Sequence, residues 1–215
     1  MAKLYFRHGT MGSAKTLNLL AVAHNYRRQG KQVYLIKPEM DVRFGAKLIR
    51  SRAGIEMEAD LLVKPDTKFV WKDFEHISCI LVDEAQFLSK EVIEQLREIS
   101  LHLDIPVICY ALRTDFKSFL FEGSKRLIEL ADTIEEIKST CYFCNKKSIM
   151  NLKHVNGIAT VEGPSIQLGA EEMYFPACYR CYTKAIKESK DDKLKAIAIE
   201  EEEKLAAMTT AKEDD

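Results

Sequence analysis

The chain has 215 residues, 47% of them hydrophobic, which is enough to bury a core of ordinary size and excludes a disordered or fibrous protein. Its 32 basic and 33 acidic residues leave a net charge of -1, so any polyanion must be bound locally rather than by a global field. No apolar run approaches the roughly 20 residues of a membrane-spanning helix, and the start MAKLYFRHG becomes polar too early for a secretory signal. We therefore expect a cytoplasmic protein with neither a membrane nor a nucleic acid as partner.

In chain order, the pattern alternates between short apolar strands and amphipathic helices. A strand near Lys3 to Phe6 precedes a helix from about Ala14 to Gln29. Further strands are predicted at 32–38, 79–83 and 105–112, and further helices at 89–103, capped by its first serine, and at 122–131. This alternation predicts an α/β fold, a parallel sheet with helices on both faces and ligands at the carboxyl ends of its strands. It leaves the order of the strands open.

The six cysteines fall into two groups. Cys79 and Cys109 lie in apolar runs, where a small buried hydrophobe is expected. The other four form two C-x-x-C pairs, Cys141, Cys144, Cys178 and Cys181. In a cytoplasmic chain this arrangement favours a metal over disulfides, and four thiolates close a tetrahedral, structural zinc site. A redox pair is the alternative, but it does not account for two pairs.

The cysteine pairs also suggest how the chain is divided. We predict a main domain over 1–139, a zinc-binding module over 140–185, and a charged tail over 186–215 that is helical or disordered. The 33 residues between Cys144 and Cys178 resemble a long polar loop with zinc at its base. A loop of this length in a compact domain is typical of a lid over a site.

The segment GTMGSAKT, residues 9–16, lies between the first predicted strand and helix. In a phosphate-binding loop, backbone N–H groups surround the phosphates, the lysine reaches the terminal ones, and the next hydroxyl binds magnesium. Gly9, Lys15 and Thr16 match, whereas Ala14 replaces the last loop glycine, and a positive φ there would cost about 1 to 2 kcal/mol. Gly12 offers compensating flexibility. Taken alone, the segment is also compatible with an ordinary helix start.

A second motif, CILVDEAQF, places Asp83 and Glu84 at the end of an apolar strand. The first carboxylate suits magnesium and the second suits proton transfer. A solvated acidic pair is the alternative for this motif alone, but the two motifs in their expected order predict a P-loop NTPase-like domain. The proton acceptor would act on water in an ATPase or on a substrate hydroxyl in a kinase.

Together these motifs resemble the zinc-bearing type II thymidine kinases, particularly the bacterial members. The resemblance runs to about residue 185 through the segments GTMGSAKT, KPEMDVRFG, LVDEAQFL, YALRTDF, LFEGS, CYFC, LGAEEMYFPAC and CYRC. It implies that 1–139 is an ATP-binding kinase domain, that 140–185 forms a zinc-stapled lasso or lid, and that ATP, Mg²⁺ and structural Zn²⁺ are cofactors. The implied reaction is transfer of the ATP γ-phosphate to the 5′-hydroxyl of thymidine or deoxyuridine in nucleoside salvage.

The resemblance also implies residue roles. Glu84 would be the general base, Asp83 would position magnesium, and Asp41 and Arg43 would lie close to the phosphates and metal. The implied ATP-binding set is Gly9, Thr10, Met11, Gly12, Ser13, Ala14, Lys15, Thr16, Asp41, Arg43, Asp83 and Gln86. The implied nucleoside-binding set is Phe116, Phe121, Ser165, Ile166, Gln167, Leu168, Gly169 and Tyr174. A homotetramer and feedback inhibition by thymidine triphosphate are also implied.

Other interpretations of the same residues stay open. From spacing alone, Phe116, Phe119 and Phe121 would be core residues, and Tyr174 would pack the zinc module. A P-loop ATPase or nucleic-acid-dependent motor with a zinc module is the rival function, and a catalytically silent nucleotide-binding protein is a third. Ala14, Ala111 and Ala170 replace glycines of the family pattern, which bears on nucleotide affinity and loop closure more than on reaction type.

Overall fold

The computed structural model describes residues 1–165 and 173–191, and its elements follow the predicted alternation. The strands are β1 (Leu4–His8), β2 (Val33–Pro38), β3 (Leu48–Arg50), β4 (Glu56–Glu58), β5 (Leu61–Val63), β6 (Cys79–Val82), β7 (Val107–Ala111), β8 (Thr133–Glu136), β9 (Met150–Val155), β10 (Ile158–Thr160) and β11 (Tyr174–Ala177). The helices are α1 (Lys15–Arg28), α2 (Lys90–His102) and α3 (Glu122–Leu130), with 3₁₀ turns at Trp71–Phe74 and Ala85–Phe87 and further helix over 179–191.

The main sheet has six parallel strands in the order β5-β2-β6-β7-β1-β8. The fold class predicted from the sequence is thus confirmed, and the strand order is what the sequence left open. Because β1 and β6 point the same way, the loop after β1 and the acidic pair after β6 emerge at the same edge of the sheet. The predicted functional motifs therefore meet in space.

Helices cover both faces of this sheet. Along β6, Cys79 and Leu81 pack in the cluster that contains α1, whereas Ile80 and Val82 pack in the cluster that contains α2 and α3. This follows from the two-residue period of a strand, which sends successive side chains to opposite faces. Cys79 and Cys109 are fully buried, as predicted, and burial raises the pKa of the Cys79 thiol to about 12.

The helix boundaries agree closely with those predicted. Ser89 caps α2 by accepting a hydrogen bond from the Val92 backbone N–H. Along the described ranges, 1–165 and 173–191, every helix is too short or too polar to cross a bilayer. The sequence interpretation missed β5 and β8, the two edge strands of the main sheet, and the separate antiparallel sheet formed by β3 and β4.

The expectation of a long polar loop between the cysteine pairs was wrong for much of its length. Residues 150–160 and 174–177 form an antiparallel sheet in the order β10-β9-β11. Asn156 and Gly157 form the two-residue turn from β9 to β10, both with positive φ (51° and 79°). An Asn-Gly pair is a strong hairpin signal that outweighs the polarity of the flanking residues. The predicted boundary near residue 140 falls between β8 and this second sheet.

Candidate active site

The backbone shape of the loop from β1 to α1 depends on three of its residues. A Cβ added to Gly9 would lie 2.6 Å from the Ile137 carbonyl oxygen, so this position admits only glycine. Gly12 has φ 74° and Ala14 has φ 64° and ψ 28°, both in the left-handed region. The alanine that replaces the expected glycine therefore keeps the loop shape, at the cost of an L residue in the left-handed region.

Lys15 is folded back onto this loop. Its Nζ donates hydrogen bonds to the carbonyl oxygens of Thr10 (2.8 Å) and Gly9 (3.2 Å). Burial lowers the pKa of Lys15 to about 8, although Glu84 and Asp83 act in the opposite direction. The ammonium is thus held against the loop backbone at the cavity, where a bound phosphate would supply the negative charge that stabilises its protonated form.

Asp83 and Thr16 form the next part of the site. The Thr16 hydroxyl donates to an oxygen of Asp83 at 3.1 Å, which links the start of α1 to the end of β6. Burial raises the pKa of Asp83 to about 7, and the neighbouring charge of Glu84 adds to this effect. A buried carboxylate beside a threonine hydroxyl is a ligand set that suits magnesium.

Glu84 is held by two neighbours. Arg43 donates to one of its carboxylate oxygens and Gln86 donates to the other. The backbone of Glu84 is left-handed, with φ 49° and ψ 37°, and this turns its side chain out of the strand direction. The amide oxygen Oε1 of Gln86 accepts a hydrogen bond from the Leu112 N–H at 3.0 Å, so the orientation of the Gln86 amide is fixed as well.

Arg43 also pairs with Asp41. Its Nε lies 2.6 Å from one oxygen of Asp41 and its Nη2 lies 3.1 Å from the other. Lys37, which is fully buried, approaches the same carboxylate at 3.4 Å. Burial raises the pKa of Asp41, but hydrogen bonds and charge from Arg43, with Lys37, outweigh burial and leave this pKa below its usual value. Asp41, Arg43 and Glu84 thus form one connected ionic network.

A cavity of about 280 Å³ joins this network to an aromatic wall. Phe116 and Tyr174 stand side by side in the wall, with ring centroids 5.9 Å apart, and Phe121 packs edge-on against Phe87 at 5.9 Å. The interpretation as core residues is wrong for Phe119, which is 70% exposed. Phe116 is buried, as that interpretation expects, but it also lines the cavity, and the half-buried Phe121 lines it too.

The structure brings most of the predicted site residues to this cavity. The lining includes Met11 to Thr16, Arg43, Glu84, Gln86, Phe116, Phe121, Ser165 and Tyr174. Asp41 and Asp83 lie behind it, in contact with Arg43 and Thr16. Gly9 and Thr10 line a second, smaller cavity. Four predicted positions, Ile166, Gln167, Leu168 and Gly169, lie outside the described residues.

Several residues at the cavity were missed by the sequence interpretation. Asn151 lines the cavity and hydrogen-bonds the phosphate loop, and the Lys153 ammonium lies 4.8 Å from the centroid of the Phe116 ring. Arg50 and Arg52, at the β3–β4 hairpin, add positive charge beside the loop. None of these residues stands in a local motif, since each reaches the site only through tertiary folding.

The four paired cysteines form a compact cluster away from the cavity. Their Sγ atoms all lie within 4.8 Å of one another. The Cys144 Sγ lies 3.7 Å from the Sγ atoms of both Cys178 and Cys181. A tetrahedral zinc site with bonds of about 2.3 Å has sulfur–sulfur edges of about 3.8 Å. The geometry therefore fits a structural zinc ion.

The fold and site define a P-loop nucleotide-binding protein whose phosphate loop and Glu84 carboxylate share a cavity with an aromatic wall. A sequence model described as thymidine kinase matches residues 2–182. The thymidine kinase of Streptococcus pyogenes serotype M28 (strain MGAS6180) is 43% identical over 185 residues, covering 85% of this chain and 97% of the relative. That of Lactococcus lactis subsp. lactis (strain IL1403) is 41% identical over 190 residues, covering 86% and 98%. The chain belongs to the thymidine kinase family.

Among solved structures, a Bacteroides Pif1 bound to single-stranded DNA matches with a TM-score of 0.40 and 13% sequence identity. The match covers 63% of this chain and 38% of that one, so this chain spans just over a third of its length. A similarity of this size says nothing about function.

Proposed function

We propose that this chain transfers the γ-phosphoryl group of ATP to the 5′-hydroxyl of thymidine, and of deoxyuridine. As a member of the thymidine kinase family it is an ATP-dependent nucleoside kinase, a transferase. The observation that carries the proposal is the one cavity in which Lys15, Glu84 and the Phe116–Tyr174 wall meet. A flat pyrimidine against the wall would leave its sugar close to Glu84 and to the phosphate loop.

At the nucleotide end, we assign the backbone N–H groups of residues 12–16 and the Lys15 ammonium to the ATP phosphates. Arg43 lines the same end and supplies a second fixed cation. Thr16 and Asp83 would hold magnesium, which, when bound, neutralises charge on the β- and γ-phosphates. The protein's part is to position both reactants and to stabilise charge, as phosphoryl transfer requires.

At the acceptor end, Glu84 takes the proton of the 5′-hydroxyl. Each carboxylate oxygen carries two lone pairs, and Arg43 and Gln86 each use one, so acceptor capacity remains on both oxygens. The same two hydrogen bonds fix the direction of the carboxylate before the nucleoside arrives. A fixed base within hydrogen-bond reach is what general base catalysis needs.

The remaining assignments concern the second sheet and the assembly. The four cysteines would hold structural zinc, and residues 165–169 would close over the base and exclude water that competes with the 5′-hydroxyl. Ser165, which lines the cavity, supports this placement. We also propose a cytoplasmic homotetramer that is inhibited by thymidine triphosphate.

The test is incubation of the protein with thymidine, ATP and magnesium, with thymidine monophosphate measured by chromatography. We expect product from the unmodified chain and a loss of at least about 100-fold in turnover for Glu84→Gln, with ATP binding retained. Glu75→Gln, at an exposed glutamate, is the matched control and should keep full activity. Absence of product would refute the kinase proposal, and nucleic-acid-stimulated ATP hydrolysis without nucleoside would favour a motor. Full turnover by Glu84→Gln would remove Glu84 as the base.

A further inference from the structure

The strand β9 has one face toward the cysteine cluster and the other toward the active site. Met150 and Leu152 pack with Cys141 and Cys178 in one hydrophobic cluster. Asn151, between them in sequence, has its side chain on the opposite face, where it lines the cavity. A single strand thus connects the cysteine cluster with the active site.

Asn151 bridges the phosphate loop and the segment after β7. Its Oδ1 accepts a hydrogen bond from the Met11 N–H at 2.8 Å, and its Nδ2 donates to the Thr114 carbonyl oxygen at 3.1 Å. The side chain is 96% buried, with a relative exposure of 4%. Exchanging its oxygen and nitrogen would place a donor against the Met11 N–H, so the amide orientation is determined by its partners.

Thr10, which precedes Met11 in the loop, also contacts the predicted zinc-binding module, residues 140–185. The Thr10 hydroxyl lies 2.8 Å from the Ser139 hydroxyl and 3.0 Å from the Ser148 hydroxyl, and the two serine hydroxyls lie 2.6 Å apart. Ser148 also donates to the Ser139 carbonyl oxygen at 3.0 Å. Two consecutive residues of the phosphate loop are therefore fixed from the cysteine-bearing module as well as by β1 and α1.

The strand β9 also contributes a residue to the proposed nucleoside end of the cavity. Lys153, two residues after Asn151 and on the same face, lies 4.8 Å from the Phe116 ring centroid and 5.9 Å from that of Tyr174. Both rings belong to the aromatic wall. A displacement of β9 would consequently move the loop contact and the wall contact together.

We propose that Asn151, with Ser148, is a positioning residue for ATP: the module stapled by the cysteines sets the shape of the phosphate loop through these two side chains. The proposal rests on the ATP-binding part of the proposed function. Met11 precedes the N–H groups of residues 12–16 that we assign to the phosphates, so Asn151 orients the loop without occupying the phosphate position. Without it, the loop would spend part of its time in conformations that do not bind phosphate, and the apparent affinity would be multiplied by the fraction of loops in a binding conformation.

The test measures equilibrium binding of MgATP and of thymidine separately, by calorimetry, on zinc-loaded protein. Asn151→Ala should weaken MgATP binding about tenfold, which corresponds to about 1.4 kcal/mol. Thymidine affinity should stay within about twofold, because the aromatic wall and Lys153 are retained. Ser148→Ala, which removes one hydroxyl from the buried triangle, should weaken MgATP binding about threefold. Asn25→Ala, at an exposed asparagine of α1, is the matched control and should change neither affinity.

Two outcomes would overturn the proposal. One is unchanged MgATP affinity in both variants while they remain folded and zinc-loaded. The other is a loss of thymidine binding in Asn151→Ala with no effect of Ser148→Ala, which would mean that Asn151 acts by touching the nucleoside. Because binding is measured without turnover, the comparison can be read even if the unmodified chain fails to phosphorylate thymidine.

Discussion

The strongest local prediction concerns the Ala14 methyl group. Ala14 is exposed and has a left-handed backbone, a conformation that costs an L residue about 1 to 2 kcal/mol and costs glycine almost nothing. Replacing it with glycine relieves this strain but gives the unfolded chain more freedom, which offsets about 0.4 to 1 kcal/mol. We therefore expect Ala14→Gly to raise the free energy of unfolding by about 0.5 to 1 kcal/mol.

The assay is urea unfolding of the metal-loaded protein, with Ala21→Gly as the matched control. Ala21 is also exposed but lies inside α1, where glycine costs about 1 kcal/mol relative to alanine. The same chemical change should thus have opposite signs at two positions seven residues apart. ATP affinity should change little for Ala14→Gly, because the loop already has this backbone before the ligand binds. Destabilisation of Ala14→Gly by as much as Ala21→Gly would refute the strain argument.

Two further predictions follow from the charges and the cysteines. Since burial holds the pKa of Lys15 at about 8, and a bound phosphate would raise it, ATP affinity should fall by up to about tenfold per pH unit as the pH rises above 8. Calorimetry in two buffers should show proton uptake there, and an unchanged affinity up to about pH 9.5 would contradict this. Removing the metal with a chelator under reducing conditions should lower the melting temperature and weaken thymidine binding, and added zinc should restore the original values. If the chelated protein kept its melting temperature and its thymidine affinity, the metal would not be structural.

Local patterns were enough to predict the central part of the site. The strand–loop–helix at residues 4–28 and the acidic pair after β6 each depend on neighbours in sequence, and parallel strands bring their carboxyl ends together. The cysteine pairs could equally be recognised from the sequence, because the two side chains of a C-x-x-C pair lie close together locally. By contrast, nothing near Asn151 in the sequence marks it as a partner of Met11, since 140 residues separate them. The Arg43–Glu84 pair is non-local for the same reason.

The alanine in place of the expected loop glycine at position 14 and the left-handed backbone of Glu84 have the same physical explanation. Both are non-glycine residues with positive φ, and both lie at the cavity. A left-handed residue reverses the chain sharply, which at Ala14 directs the following N–H groups into the loop and at Glu84 turns the carboxylate toward Arg43 and Gln86. At Glu84 the strain is offset by two hydrogen bonds, and at Ala14 by the start of α1, where the Asn18 N–H donates to the Ala14 carbonyl oxygen at 2.9 Å. Because the surrounding structure sustains the larger Glu84 side chain in this conformation, a methyl group at position 14 does not argue against a working phosphate loop.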